Sequence, residues 1–217
     1  IFDGANQQKV TGQVYNAIIL NENTTTGTLH AFGHLDFKGN SWTGIIYAYD
    51  GATFADGSKY NLVKINEDFT LGSNINADVE VLGYKGNLIV PTGSSYSIFG
   101  NLTVNVTDSY SSSYANLNIE NGAELTVDGE LGIALKSTFE NNGTINVKND
   151  IILNGNATLQ NSGVIYCDGD FETLNTSVRV IQSDENAKFY IRGDIDFYYL
   201  NSSIISNGKV ILDGEGR

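Results

Sequence analysis

Gly129-Glu130-Leu131, Asn149-Asp150-Ile151, Gly169-Asp170-Phe171 and Gly193-Asp194-Ile195 read as one phrase used again and again: Gly or Asn, an acid, then a large apolar residue. Gly214-Glu215 opens the phrase once more. The apolar members, at 131, 151, 171 and 195, lie 20, 20 and 24 residues apart. Self-similarity at a near-constant period of this size marks a solenoid, in which each repeat is one structural turn.

Shifting by the same steps superimposes Leu125, Ile145, Ile165 and Phe189, and beside them Val127, Val147, Cys167 and Ile191. Within a repeat these positions alternate with polar ones, as in Thr144-Ile145-Asn146-Val147-Lys148. That period of two buries one face of a strand. A single coil of this length cannot cover its own inward face. Stacked about 4.8 Å apart, neighbouring turns share backbone hydrogen bonds and build a common apolar column. The expected fold is therefore all-β, a single-stranded parallel β-helix (β-solenoid). About ten rungs of roughly 20–24 residues each would fill residues 1–217 as one domain.

The Gly/Asn column at 129, 149, 169, 193 and 214 has a local explanation, a corner residue at positive φ, which Gly and Asn tolerate best. The acids beside it are harder to place, because unit charges about 5 Å apart repel by roughly 1 kcal/mol even in water. Two readings stand. The acids face outward and are solvated, or Asp150, Asp168, Asp170, Asp194 and Asp196 line a row of calcium sites with hard carboxylate oxygens. Calcium is the one cofactor the sequence suggests.

Composition fits a β-solenoid: 24 glycines, a single proline, and Asn, Thr and Ser between short apolar runs. A net charge of −13 and a pI near 4.3 oppose nucleic acid and anionic membrane surfaces, which need clustered Lys and Arg. No run of 18 apolar residues suggests membrane insertion. Cys167 stands alone in an inward column and reads as a small buried hydrophobe.

Upstream the period loosens. Tyr followed by apolar residues three and five positions on links Tyr15, Ile18 and Leu20 with Tyr60, Val63 and Ile65 and with Tyr114, Leu117 and Ile119, as if in equivalent strands. The segments from Lys38 to Lys59 and from Thr107 to Ser113 read as loop insertions. The first is crowded with Trp42, Tyr47, Tyr49 and Phe54, which makes these four the candidate ligand-binding residues, since exposed rings offer flat apolar faces to sugars or proteins. His30 and His34 are four apart, but their surroundings alternate as strand and turn, so they read as surface residues and not as a zinc pair. Asp50-Gly51 and Asp56-Gly57 read first as turn chemistry and second as a calcium loop. No Gly-x-Ser-x-Gly or other nucleophile motif is present, and no catalytic residue is assigned.

Ile1-Phe2-Asp3-Gly4 echoes Ile211-Leu212-Asp213-Gly214, as expected of a segment within a longer repetitive chain, with further repeats at both ends. Phe2-Asp3-Gly4, Gln8-Lys9-Val10-Thr11-Gly12, Tyr15-Asn16 and Ile18-Ile19-Leu20 resemble the repeats of large secreted, adhesin-like β-helix proteins of bacteria. The resemblance implies a right-handed parallel β-helix on an extracellular, cell-surface or secreted protein. Its role would be that of a non-catalytic stalk or an adhesive surface, and its partners a glycan or protein of a host or neighbouring cell. The rival reading is a polysaccharide-acting enzyme on the same fold, of the pectin-lyase-like kind, using Asp168, Asp170, Asp194 and Asp196. Glycosidases need two carboxyl groups roughly 5–9 Å apart, which adjacent rungs could supply. The paired-Asp, Gly-His-Gly and Arg-x-Lys segments of polygalacturonase-like enzymes are missing, however.

Overall fold

A computed structural model describes residues 9–14, 18–19, 26–83, 85–106, 113–174, 177–198 and 203–214. Every regular element among them is a β-strand, and every strand pairing is parallel. The strands stack into a ten-stranded, a seven-stranded, a six-stranded and a three-stranded sheet, each neighbour coming from the turn before or after. This is a parallel β-solenoid, and the ten strands of its longest sheet agree with the expected number of rungs.

The apolar columns are paired as the sequence requires. Leu125, Ile145, Ile165 and Phe189 stand in register in the six-stranded sheet, as do Val127, Val147, Cys167 and Ile191. Leu131, Ile151, Phe171 and Ile195 do the same in the ten-stranded sheet. All but Ile195, in the last turn, are buried. Each such side chain removed from water contributes about 1.5–3 kcal/mol before the entropy of ordering is counted.

Turn length divides the molecule. Across the ten-stranded sheet Ile46 pairs with Val63 and Val63 with Val79, which makes these the shorter turns. The chain travels further between later partners, from Val79 to Leu102, from Leu102 to Leu131 and from Leu131 to Ile151. Early turns alternate only between the ten- and three-stranded sheets, as in Ser41–Ala48, Thr53–Phe54 and Lys59–Ile65. Later turns have three sides, as in Leu131–Ala134, Thr138–Asn141 and Thr144–Val147. The uniform period expected from the sequence therefore holds only for the second half.

The segment from Lys38 to Lys59 is part of the coil and not an inserted loop. Its strands Ser41–Ala48 and Thr53–Phe54 are paired with their neighbours, and its corners fold on glycines with positive φ, Gly51 at 87° and Gly57 at 81°. The Asp-Gly pairs are thus turn chemistry, as glycine's freedom at positive φ allows. Of the other proposed insertion, residues 107–112 lie outside the described residues, while Ser113 is buried. The Tyr motif does not mark equivalent strands. Tyr60 belongs to the ten-stranded sheet, Tyr114 to the seven-stranded and Ile18 to the three-stranded, and Tyr15 lies outside the described residues.

One column inside the coil is polar. Asn141 Nδ2 donates to Asn161 Oδ1 at 2.8 Å, Asn161 Nδ2 to Gln182 Oε1 at 3.2 Å, and Gln182 Nε2 to Ser206 Oγ at 3.0 Å. The two asparagine amides also donate to the backbone oxygens of Val164 and Lys188. Buried polar groups are tolerated when satisfied in this way. Cys167 is buried as expected, and burial pushes its thiol up to about 12.

Candidate contact surface

The outer face of the ten-stranded sheet carries several of the side chains singled out by the sequence. Its pairing sets one outward row: His30, Tyr47, Lys64, Glu80, Thr103, Gly132, Ile152, Glu172 and Asp196. A second outward row runs Thr28, Ile45, Leu62 and Asp78. The face is aromatic and aliphatic at its start and acidic at its end.

At the aromatic end, the His30 and Tyr47 rings stack with centroids 5.0 Å apart and planes 11° from parallel. Phe32 stacks on Tyr49 at 4.3 Å, also at 11°, and the Tyr49 hydroxyl lies 2.9 Å from His30 Nδ1. All four side chains are half-buried. The rungs stack these rings face to face, so a partner meets mainly their edges and the polar His and Tyr tips. His34 is exposed and hydrogen-bonds Thr53 Oγ1 through Nδ1 at 2.9 Å, so the two histidines do not converge on a metal.

Tyr47 and Tyr49 are thus surface residues, but Trp42 and Phe54 are not. Trp42 is 1% and Phe54 2% exposed, and they pack inside the early turns with Phe37 and Tyr60. The Tyr60 hydroxyl donates to the Leu35 carbonyl at 3.1 Å, and burial pushes its pKa up to about 12. Large rings fill the short coil where it has fewer strands to supply core. Trp42 and Phe54 are therefore corrected from candidate ligand contacts to core residues.

Beside the aromatic end lies a shallow groove of about 220 Å³ lined by Asn61, Leu62, Asp78, Glu80, Asn101 and Thr103. Lys64 Nζ reaches Glu80 Oε2 at 3.0 Å along its rim. A wider open groove, about 560 Å³, lies between Asn66, Glu67, Asp68, Lys85 and Tyr114.

The acidic column has a structural account that neither sequence reading contained. Asp78 Oδ1 accepts the backbone N–H of Asn101 at 2.8 Å, and Asn101 Oδ1 that of Glu130 at 2.9 Å. Asp150 Oδ1 accepts the N–H of Asp170 at 2.8 Å, and Asp170 Oδ1 that of Asp194 at 2.7 Å. Each side chain thus holds the backbone of the following turn, and a charged acceptor strengthens the bond. The glycines beside them serve the same stacking. None of Gly129, Gly169, Gly193 and Gly214 has positive φ, contrary to expectation. A Cβ on Gly193 would stand 2.6 Å from the Gly169 carbonyl, and one on Gly214 would collide with the Arg192 oxygen.

Asp168 opens the same corner two residues before Asp170, and there Arg192 Nη1 meets its Oδ1 at 2.7 Å and Lys148 Nζ its Oδ2 at 3.4 Å. Asp196 stands in the outward row next to Glu172. Four of the five acids named for calcium thus lie along one corner, engaged with the backbone of the next turn or with Arg192 and Lys148, and Asp196 lies in the outward row. Among the described residues no three or more His, Cys, Asp or Glu side chains converge as a metal-ligand group. Glu130, missed by the sequence reading, is the perturbed acid of the face. Burial raises its pKa, with Asp150 and Glu172 adding to the effect.

No protein-family profile, curated protein or solved structure matches the chain.

Proposed function

We propose that this chain is a non-catalytic, extracellular segment of a bacterial surface or secreted protein, a stalk that also makes adhesive contacts. The observation that carries the reading is the row His30–Tyr47 with Phe32–Tyr49, half-exposed rings set on a rigid ladder of paired strands. A rigid sheet presents such groups with little entropy left to lose on contact. The partner is a glycan or protein of a host or neighbouring cell. Binding to immobilised glycans and to extracted surface proteins tests this, with Tyr47→Ala and Tyr49→Ala beside the parent chain. A ligand whose affinity falls several-fold in both variants supports adhesion. A ligand bound equally well by both variants removes the proposed surface, and no ligand at all leaves the stalk alone.

The enzymatic alternative is favoured by one observation, the raised pKa of Glu130 next to Asp150 on the adjoining turn. A carboxyl of raised pKa beside a second carboxyl is the arrangement glycoside cleavage uses. Release of reducing ends or unsaturated products from a polysaccharide panel, abolished by Glu130→Gln and Asp150→Asn, would replace the adhesive reading with this one.

A further inference from the structure

The pairing of strands Ser41–Ala48 and Lys59–Ile65 shifts register between Trp42 and Ile45, an irregularity of the β-bulge kind in the ten-stranded sheet. Bulges break the in-out alternation and re-aim side chains. The second strand shows the result: Asn61 and Leu62 stand side by side without full burial, between buried Tyr60 and Val63. They line the shallow groove of about 220 Å³, together with Asp78 and Glu80 from the next turn and Asn101 and Thr103 from the one after. Strands of the same sheet pair on both sides of these turns, so the groove belongs to the flank of the coil and not to either end.

The polar groups along it are mixed. The Asn61 and Asn101 amides and the Thr103 hydroxyl both donate and accept, while the Asp78 and Glu80 carboxylates accept only. Asp78 and Asn101 are held in place by the backbone N–H that each accepts from the following turn, a bond that engages Oδ1 of Asn101 and not its Nδ2 donors. Lys64 holds Glu80. With two acids and one lysine, on a chain of net charge −13, the groove repels anions. A sugar hydroxyl, donor and acceptor at once, matches this set, and a carboxylate can accept two neighbouring hydroxyls together. Along the outward row Tyr47, Lys64, Glu80 and Thr103 the turns rise about 4.8 Å each, close to the length of one pyranose unit in an extended glycan.

We infer that this groove recognises a neutral, extended oligosaccharide lying along the coil axis, with hydroxyls on Asn61, Glu80, Asn101 and Thr103 and one end toward Tyr47. The inference rests on the adhesive reading above and names the class of glycan. Charge selects against chains that carry uronate, sialate or sulfate groups. The rise of the turns selects extended linkages over strongly curved ones. Asp78, Glu80 and Thr103 sit on paired strands, so little is left to order on contact.

The test presents the whole chain with arrayed β-1,4-linked tetrasaccharides of glucose, mannose and N-acetylglucosamine, beside uronate- and sialate-bearing tetrasaccharides, and titrates what binds by calorimetry. The expected result is binding confined to neutral glycans and roughly tenfold weaker in Asn61→Ala and in Thr103→Val, the effect of one lost hydrogen bond. Neither residue holds the backbone of another turn through a hydrogen bond given above, so both variants should keep the parent melting temperature. No neutral binder, equal binding of acidic glycans, or affinity unchanged in both variants overturns the inference. Neutral-glycan binding lost in the groove variants but kept in Tyr47→Ala would support the groove and remove the aromatic surface. A protein ligand lost in Tyr47→Ala, with no neutral glycan bound, would keep the adhesive reading and remove this one.

Discussion

Asp170 receives the backbone N–H of Asp194 on one carboxylate oxygen at 2.7 Å, while its own N–H is held at 2.8 Å by Asp150. Acid positions that would repel as free charges are thereby tied, turn to turn, through the main chain. Replacing Asp170 with Ala should cost about 1–3 kcal/mol in chemical denaturation, the range for hydrogen bonds to a charged group. Asp170→Asn keeps an acceptor oxygen and should recover most of that loss. Equal destabilisation by both would show that the charge, and not the bond, matters.

The glycines next to this ladder differ in what they tolerate. Gly193→Ala places a methyl 2.6 Å from a backbone carbonyl of the turn below and should destabilise by about 1–3 kcal/mol or more. Gly132→Ala meets its nearest atom at 3.7 Å, so it should be neutral or stabilise by up to about 1 kcal/mol. Thermal denaturation of the pair compares close approach with mere flexibility.

Trp42 and Tyr47 should part company in any assay. Trp42→Ala removes a core ring and should cost about 3–5 kcal/mol of stability. The emission of Trp42 in the parent should be blue-shifted and resistant to acrylamide. Tyr47→Ala should change stability by no more than about 1 kcal/mol, since its ring contact is with surface His30, and should act on ligand affinity instead.

Asn161 links Asn141 and Gln182 inside the coil. Asn161→Leu leaves both amides short of a partner, and urea denaturation should register a loss of about 1–3 kcal/mol. A stabilised variant would show that the column is not held by its hydrogen bonds.

Glu130 gives the pH signature. Burial raises the folded value above the ordinary glutamate one, so its carboxyl keeps its proton to higher pH in the folded chain than in the unfolded chain. Its contribution therefore turns unfavourable as pH rises through that window. Glu130→Gln should raise the melting temperature at neutral pH and lose the advantage below about pH 4. A difference that stays constant across pH would assign the effect to packing.

The second half of the fold was legible because aliphatic residues at Leu125, Ile145 and Ile165 and their partners repeat at the turn length, and burial and pairing both demand that repeat. The first half was not, because its turns are shorter and its core switches to Trp42, Phe37, Phe54 and Tyr60. Crowded rings in a broken period look like a binding loop until the pairing is known. Only Tyr47 and Tyr49 of the proposed site face outward. The acidic column was visible, but its purpose depends on a contact with the next turn that sequence spacing does not display. Asn141 and Asn161 held a clue in their parity, two positions after inward Phe139 and Leu159, although polarity alone argued for the surface.

The short reach of each pairing has a mechanical consequence. Across the later part of the ten-stranded sheet each strand partners the one a single turn away along the chain, so tension applied at the two ends loads the turns in series. Such a coil yields by peeling, one turn after another. A released turn of about 20 residues lengthens the tether by about 70 Å at about 3.5 Å per residue, so that a pulled molecule gives ground in instalments and does not fail at a single force.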